Sequence, residues 1–265
     1  MARRINWYKY ASPTSFYPLA GKLIPWFGIP AAILFLTGLY VGFLVAPTDF
    51  QQGEVYRIIF IHVPAAWLGM FLYLLLAFYA GLGWAFNARL SYMMASALAP
   101  TGAMFTFLAL VTGALWGKPT WGTYWVWDAR MTSTLILLFL YLGYISLQAA
   151  IEDPRRSDRA SAVLALVGVV NVPIIYFSVQ WWNTLHQGAT IRLLQAPTIR
   201  GSMLHALLIM LAACWLYSIA IVLYRLRCII LEREQSAVRL ATVAYAQVSR
   251  MALANEMVIH ETHEP

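Results

Sequence analysis

The chain has 265 residues, of which 61% are hydrophobic and only 11% charged, with a formal net charge of +7. A soluble domain carries roughly 25% charged residues, so this composition excludes an ordinary soluble enzyme. The apolar residues come in blocks of at least about 18 residues, long enough to cross a bilayer as helices. The alternating runs of a membrane β-barrel are missing.

In chain order, the first block covers 23–46 and contains Pro25 and Pro30. Some twenty polar and aromatic residues precede it, and no small-residue cleavage site leads into a soluble domain, so a span is expected there and not a signal peptide. Further spans are expected at 58–84, 92–115, 131–151, 161–180 and 203–224. The fold class is therefore all-α: a polytopic integral membrane protein, a six-helix bundle forming one membrane domain over 1–265. Cys214 and Cys228 lie in or just after the last block and form no CxxC pair, so neither a disulfide nor thiol chemistry is expected. The tail, 225–265, is polar, with amphipathic character around 239–254. No internal repeat or linker separates a second domain.

Basic residues set the orientation. Arg3, Arg4, Lys9, Lys22, Arg89, Arg155, Arg156, Arg159, Arg225, Arg227, Arg233, Arg239 and Arg250 fall on one side, thirteen in all. Arg57, Lys118, Arg130, Arg192 and Arg200, five in all, fall on the other. The positive-inside rule places the thirteen, and both termini, in the cytoplasm. Topology then accounts for the positive charge, and no nucleic-acid partner is needed. The connections 47–57, 116–130 and 181–202 share the outer, periplasmic side.

Those outer connections hold unusual residues. Segment 116–130 contains Trp116, Trp121, Tyr124, Trp125 and Trp127, followed by Asp128 and Arg130. Segment 181–202 opens with Trp181, Trp182, Asn183, Thr184, Leu185, His186, Gln187 and Gly188. Together the two hold six of the eleven tryptophans. Tryptophan is also the usual headgroup anchor of membrane helices, so anchoring competes with an aromatic shelf for a ligand. In a helical loop, Trp121 and Trp125 would share a face. His62, beside Pro64 at the outer end of the second span, and His186 fall at the same depth and side as these rings. Imidazole is a normal axial ligand of haem iron, and aromatic rings suit the porphyrin faces. A flat, metal-bearing ligand is one reading; helix-packing histidines and a zinc site are the others, although no carboxylate or cysteine completes a tetrahedral set. Of the remaining histidines, His205 is expected to be packed or hydrogen-bonded, while His260 and His263 carry no assigned role. Asn171, near Pro173 in the fifth span, is expected to bond across helices or to a carbonyl freed by the proline. Asp128 and Arg130 either pair with each other or leave the arginine fork for a ligand carboxylate. No P-loop, HExxH, G-x-S-x-G or dinucleotide fingerprint occurs.

The W-G-x-x-W-x-W-D-x-R core at Trp121–Arg130 resembles the tryptophan-rich (WWD) signature of haem-handling membrane proteins in cytochrome c maturation. Arg57–Ala66, Trp116-Gly-Lys-Pro119 and Asn171–Gly188 are similar to the corresponding stretches of the haem exporter protein C (CcmC) family. The resemblance runs from about Pro25 to about Tyr224. It implies a haem site at the periplasmic face of the inner membrane, with the iron of haem b, bound as cargo, held by His62 and His186. With the iron set against the tryptophan-rich loop, as the resemblance implies, Trp116, Trp121, Tyr124, Trp125, Trp127, Trp181 and Trp182 are the candidate haem contacts, and Asp128 and Arg130 are candidates for orienting haem, meeting a propionate or pairing with each other. The implied partners are an ABC-type ATPase and its membrane subunit, a small single-span protein, and a periplasmic haem chaperone that receives haem covalently. The chain itself is expected to be neither an enzyme nor the ATPase. With no paired repeat and no charged pathway, a platform that presents haem is favoured over a true exporter. A haem-dependent quinone or electron-transfer subunit, and a scaffold whose tryptophans only anchor it, are the alternatives.

Overall fold

The structure is a computed structural model that describes residues 10–182, 184–186, 199 and 201–261, with side chains as far as 235. Arg3, Arg4, Lys9, Asn183, Gln187, Gly188, Arg192, Arg200 and His263 lie outside the described residues, as do the side chains of Arg239, Arg250 and His260. Among the described residues, seven α-helices follow one another: α1 Pro13–Tyr40, α2 Ile59–Phe86, α3 Arg89–Trp121, α4 Ala129–Ala150, α5 Pro154–Gly168, α6 Asn171–Trp181 and α7 Gly201–Glu261. A π turn, Val41–Val45, extends α1, and a 3₁₀ turn, Glu54–Ile58, leads into α2.

Among the described residues, six helical segments are long and apolar enough to cross a membrane: Pro13–Val45, Glu54–Phe86, Arg89–Trp121, Ala129–Ala150, Pro154–Trp181 and Gly201–Gln235. The chain is a multi-pass helical membrane protein. Its helices run beyond the apolar blocks because backbone hydrogen bonding continues where side chains turn polar. Thus α1 starts at Ser12, whose side chain caps the helix, with Pro13 in the first turn where its missing N–H costs nothing. At the other end of the chain, α7 runs for 61 residues.

The fifth span is two helices. Pro173 has no N–H to offer the carbonyl one turn back, and the chain breaks between Gly168 and Asn171. There Asn171 Nδ2 donates across to the Ser133 carbonyl of α4 at 2.8 Å, the cross-helix bond expected of a membrane amide.

Central in the bundle, α2 packs along α3, with α4 and the α5–α6 pair on one side and α7 on the other. Helix α1 lies mainly against α7. Close approach is set by small residues. At Gly102 on α3 a Cβ would overlap the ring of Tyr141 from α4. That buried ring sends its hydroxyl on to the Gly69 carbonyl of α2 at 2.8 Å. Where α7 leaves the bundle, Arg233 donates two 2.7 Å bonds to Asp158 at the start of α5. Gln148 of α4 adds a 3.4 Å bond to the same carboxylate.

Candidate functional site

The tryptophan-rich segment is built differently from the continuous loop expected at 116–130. Helix α3 runs on through Trp116 and Pro119 to Trp121, and stops because Gly122 takes a left-handed conformation at φ 79°. Its N–H closes on the Lys118 carbonyl at 3.0 Å, a common glycine helix end. The loop proper is 122–128. Trp116 and Trp121 are therefore fixed on a helix, while Trp125 and Trp127 lie in the loop and pack edge to face at 5.3 Å. Asp128 then starts α4, its Oδ1 accepting from the Met131 N–H at 2.8 Å.

His62 sits in the first turn of α2, only 7% exposed. Its Nδ1 lies 3.0 Å from Thr112 Oγ1 on α3, and Trp116 meets its ring edge to face at 5.7 Å. Trp116 is held in turn by its Nε1–H, which donates to Gln52 at 2.9 Å. His186 follows α6 in a local turn, its N–H donating to Thr184 Oγ1 at 3.2 Å. The two imidazoles lie with ring centres 6.0 Å apart and planes tilted by 52°, and Trp121 closes on His186 at 5.8 Å. The order in space is Trp116, His62, His186, Trp121.

Below the pair opens a cavity lined by both imidazoles. Its upper wall carries His62, His186, Trp121 and Arg130, and its lower wall is apolar or small: Met70, Gly69, Thr106, Ala109, Leu137 and Ile175. Burial, the Arg130 cation and the neighbouring His62 push the His186 imidazole down to about 3, so it is neutral with a free lone pair at any physiological pH. Its Nδ1 is buried and has no hydrogen-bond partner among the described residues.

Asp128 and Arg130 do not form an ion pair with each other. Arg130 donates to the Ile175 carbonyl at 3.2 Å and otherwise faces the cavity. Asp128 Oδ2 and Trp125 Nε1 are buried without partners among the described residues. The cavity wall thus carries the Arg130 cation and the partnerless His186 Nδ1 above an apolar well.

The remaining aromatic candidates stand further out. Among the described residues, Trp121 is the one tryptophan that lines the cavity, and Trp116 stands behind His62. Tyr124 is exposed, with the Lys118 ammonium 5.3 Å over its ring. Trp127 is 78% exposed. Trp181 stacks on Phe177 at 5.1 Å and meets Trp182 at 5.8 Å, both on the flank of α6. His205, expected to be packed or hydrogen-bonded, is instead exposed on α7 and makes no hydrogen bond among the described residues, because the helix turns it away from the bundle. Sequence reasoning missed Gln52, Thr112 and the small residues of the well. Each acts through a helix distant in sequence, and no local pattern marks them.

The family described as Heme exporter protein C matches residues 6–241. The chain belongs to that family. Heme exporter protein C of Bradyrhizobium diazoefficiens is 47% identical over 93% of this chain and 92% of its own length. The protein of that name from Escherichia coli K12 is 46% identical over 86% of this chain and 92% of its own. That of Paracoccus denitrificans is 38% identical over 87% and 95%.

Proposed function

We propose that the chain holds haem between His62 and His186 at the periplasmic face of the bacterial inner membrane, and presents it to a periplasmic haem chaperone during cytochrome c biogenesis. The observation that carries this reading is the pair of imidazoles 6.0 Å apart at the head of the cavity. Imidazole nitrogens bind metals at about 2 Å, and each ring centre stands about 1 Å further back, so two rings sharing one iron sit about 6 Å apart. Each histidine has a nitrogen to offer: His186 Nδ1 has no partner among the described residues, and the His62 ring meets Thr112 through Nδ1.

The rest of the rim suits the same cargo. Trp121 offers a flat apolar face to a porphyrin. The Arg130 fork, free of Asp128, matches a propionate carboxylate, and Asp128 serves that fork by starting the helix that carries it. Trp116 backs His62. Tyr124, Trp125, Trp127, Trp181 and Trp182 form the aromatic surround through which haem reaches or leaves the pair.

The sequence contains no P-loop, so ATP-driven steps belong to an ABC-type ATPase with its membrane subunit, accompanied by a small single-span protein. This chain is the platform on which haem waits. The basic-residue bias puts both termini in the cytoplasm: reporter fusions after residues 90 and 156 read cytoplasmic, and fusions after 52, 124 and 192 read periplasmic. A cytoplasmic reading at 124 overturns the orientation. The function is tested by purifying the protein from haem-replete membranes and measuring haem per polypeptide and its hand-over to the chaperone. Protein that carries no haem and forms no adduct contradicts it.

A further inference from the structure

Thr112 lies fifty positions from His62 in the sequence, on another helix. Its hydroxyl is 2.6 Å from the Leu108 carbonyl and 3.3 Å from that of Ala109, so its single proton is committed to the preceding turn of α3. A threonine hydroxyl has one proton and two lone pairs. With that proton engaged, the 3.0 Å contact with His62 takes one polarity, His62 Nδ1–H donating and Thr112 Oγ1 accepting, and the Ala109 carbonyl one turn back on α3 is a second acceptor for the same ring. In a neutral imidazole one nitrogen donates and the other keeps a lone pair, which leaves that lone pair on Nε2.

The same face of α3 shapes the ring's seat. Gly113 leaves room that a side chain would take, since a Cβ there would stand 3.0 Å from His62 Cε1. Ala109 lines the cavity beside it, and Trp116 walls the ring edge to face. Positions 109, 112, 113 and 116 are spaced as one helical stripe.

We infer that Thr112 is a positioning residue for haem: it holds His62 in the Nδ1–H tautomer and presents Nε2 to the iron. This rests on the haem reading proposed above. A hydrogen-bond acceptor at the far nitrogen fixes a ligating imidazole's orientation and raises its basicity, and losing one costs metal affinity about 10- to 100-fold. A more basic ligand favours the ferric state, so the acceptor holds the reduction potential of bound haem down.

The test uses the full-length protein in detergent, with haem added to the haem-depleted form. Thr112→Val keeps the shape and cannot accept, Thr112→Ser keeps the hydroxyl, and His62→Ala is the control. Thr112→Val is expected to weaken haem binding about ten-fold or more and to raise the midpoint potential, while Thr112→Ser returns both towards wild type. A purely structural role would lower protein yield without moving the potential of the haem that remains bound. If Thr112→Val does not accumulate, Thr112→Ala removes the same acceptor and carries the same expectation. Wild-type affinity and potential in the acceptor-less variant, while His62→Ala loses haem, overturns the role of Thr112 and leaves the haem reading standing. Unchanged haem binding and spectrum in His62→Ala overturns the haem reading itself, and this inference with it.

Discussion

Two acid–base couples in this bundle are treated in opposite ways. Asp158 and Arg233 come from helices far apart in sequence and close into a two-bond pair at 2.7 Å, with both side chains largely buried. Asp128 and Arg130 are two residues apart, yet they stay unpaired. Asp128 spends one oxygen on the start of α4 and leaves the other without a partner, while Arg130 turns into the cavity. The first couple is complete in itself, as a clamp between helices has to be. The second keeps its capacity open, as expected of a site whose partner comes and goes. A buried polar group left unsatisfied costs about 1–3 kcal/mol, and that cost is recovered when a ligand supplies the missing partner.

Breaking the closed couple gives the largest expected effect, and it falls on stability. Asp158→Ala strands the Arg233 guanidinium among packed helices. Losing one partner of a buried pair costs about 3 kcal/mol or more. The expected outcome is a lower thermal midpoint in detergent and less protein in membranes, with haem per surviving polypeptide unchanged. Reduced haem per polypeptide in that variant would couple the two ends of the bundle and remove the distinction between them.

At the open end the effects fall on haem. His62 is mounted on a continuous helix with its ring gripped by Thr112 and Trp116, whereas His186 is held by a local turn. A preorganised ligand loses less freedom on binding, so His62→Ala is expected to cost more retained haem than His186→Ala. Equal losses would mean that the two mounts are equivalent. Trp121→Ala comes next, removing a ring from the cavity wall. Truncating such a desolvated contact costs about 2 kcal/mol, roughly 30-fold in affinity, while protein level persists. Trp127→Ala, at an exposed ring, has a smaller effect, seen in hand-over to the chaperone more than in binding. If haem falls only in step with protein in both variants, the rings are anchors. Arg130→Lys is the mildest change: it keeps the charge and loses the fork, so haem stays bound while chaperone adduct formation slows. Normal hand-over in that variant removes the fork from the account.

The sequence made the six spans legible because twenty apolar residues in a row have few other uses. His62 and His186 could be singled out because histidine is scarce here and both fall beside aromatic clusters on one side. The geometry between them was not legible. Whether Trp121 lines a cavity and Trp127 does not depends on where α3 stops, and that is set by the left-handed Gly122, a backbone detail that composition does not reveal. Thr112 escaped notice because a threonine within a membrane helix ordinarily bonds its own preceding turn. Its second bond exists only once α2 and α3 are in register. The choice at Asp128 and Arg130 stayed open in the sequence for a similar reason: adjacency allows a pair, and only the helix start at Asp128 decides against it.

The central claim is that one iron is shared by His62 and His186, and an absorption spectrum tests it most directly. The wild type, purified with haem, is compared with the double variant His62→Ala/His186→Ala at equal protein concentration, in oxidised and reduced forms. The account predicts a six-coordinate, low-spin bis-imidazole spectrum in the wild type. In the double variant it predicts little retained haem, and loss of the low-spin bands in whatever haem remains. A double variant with the haem content and low-spin bands of the wild type would contradict it.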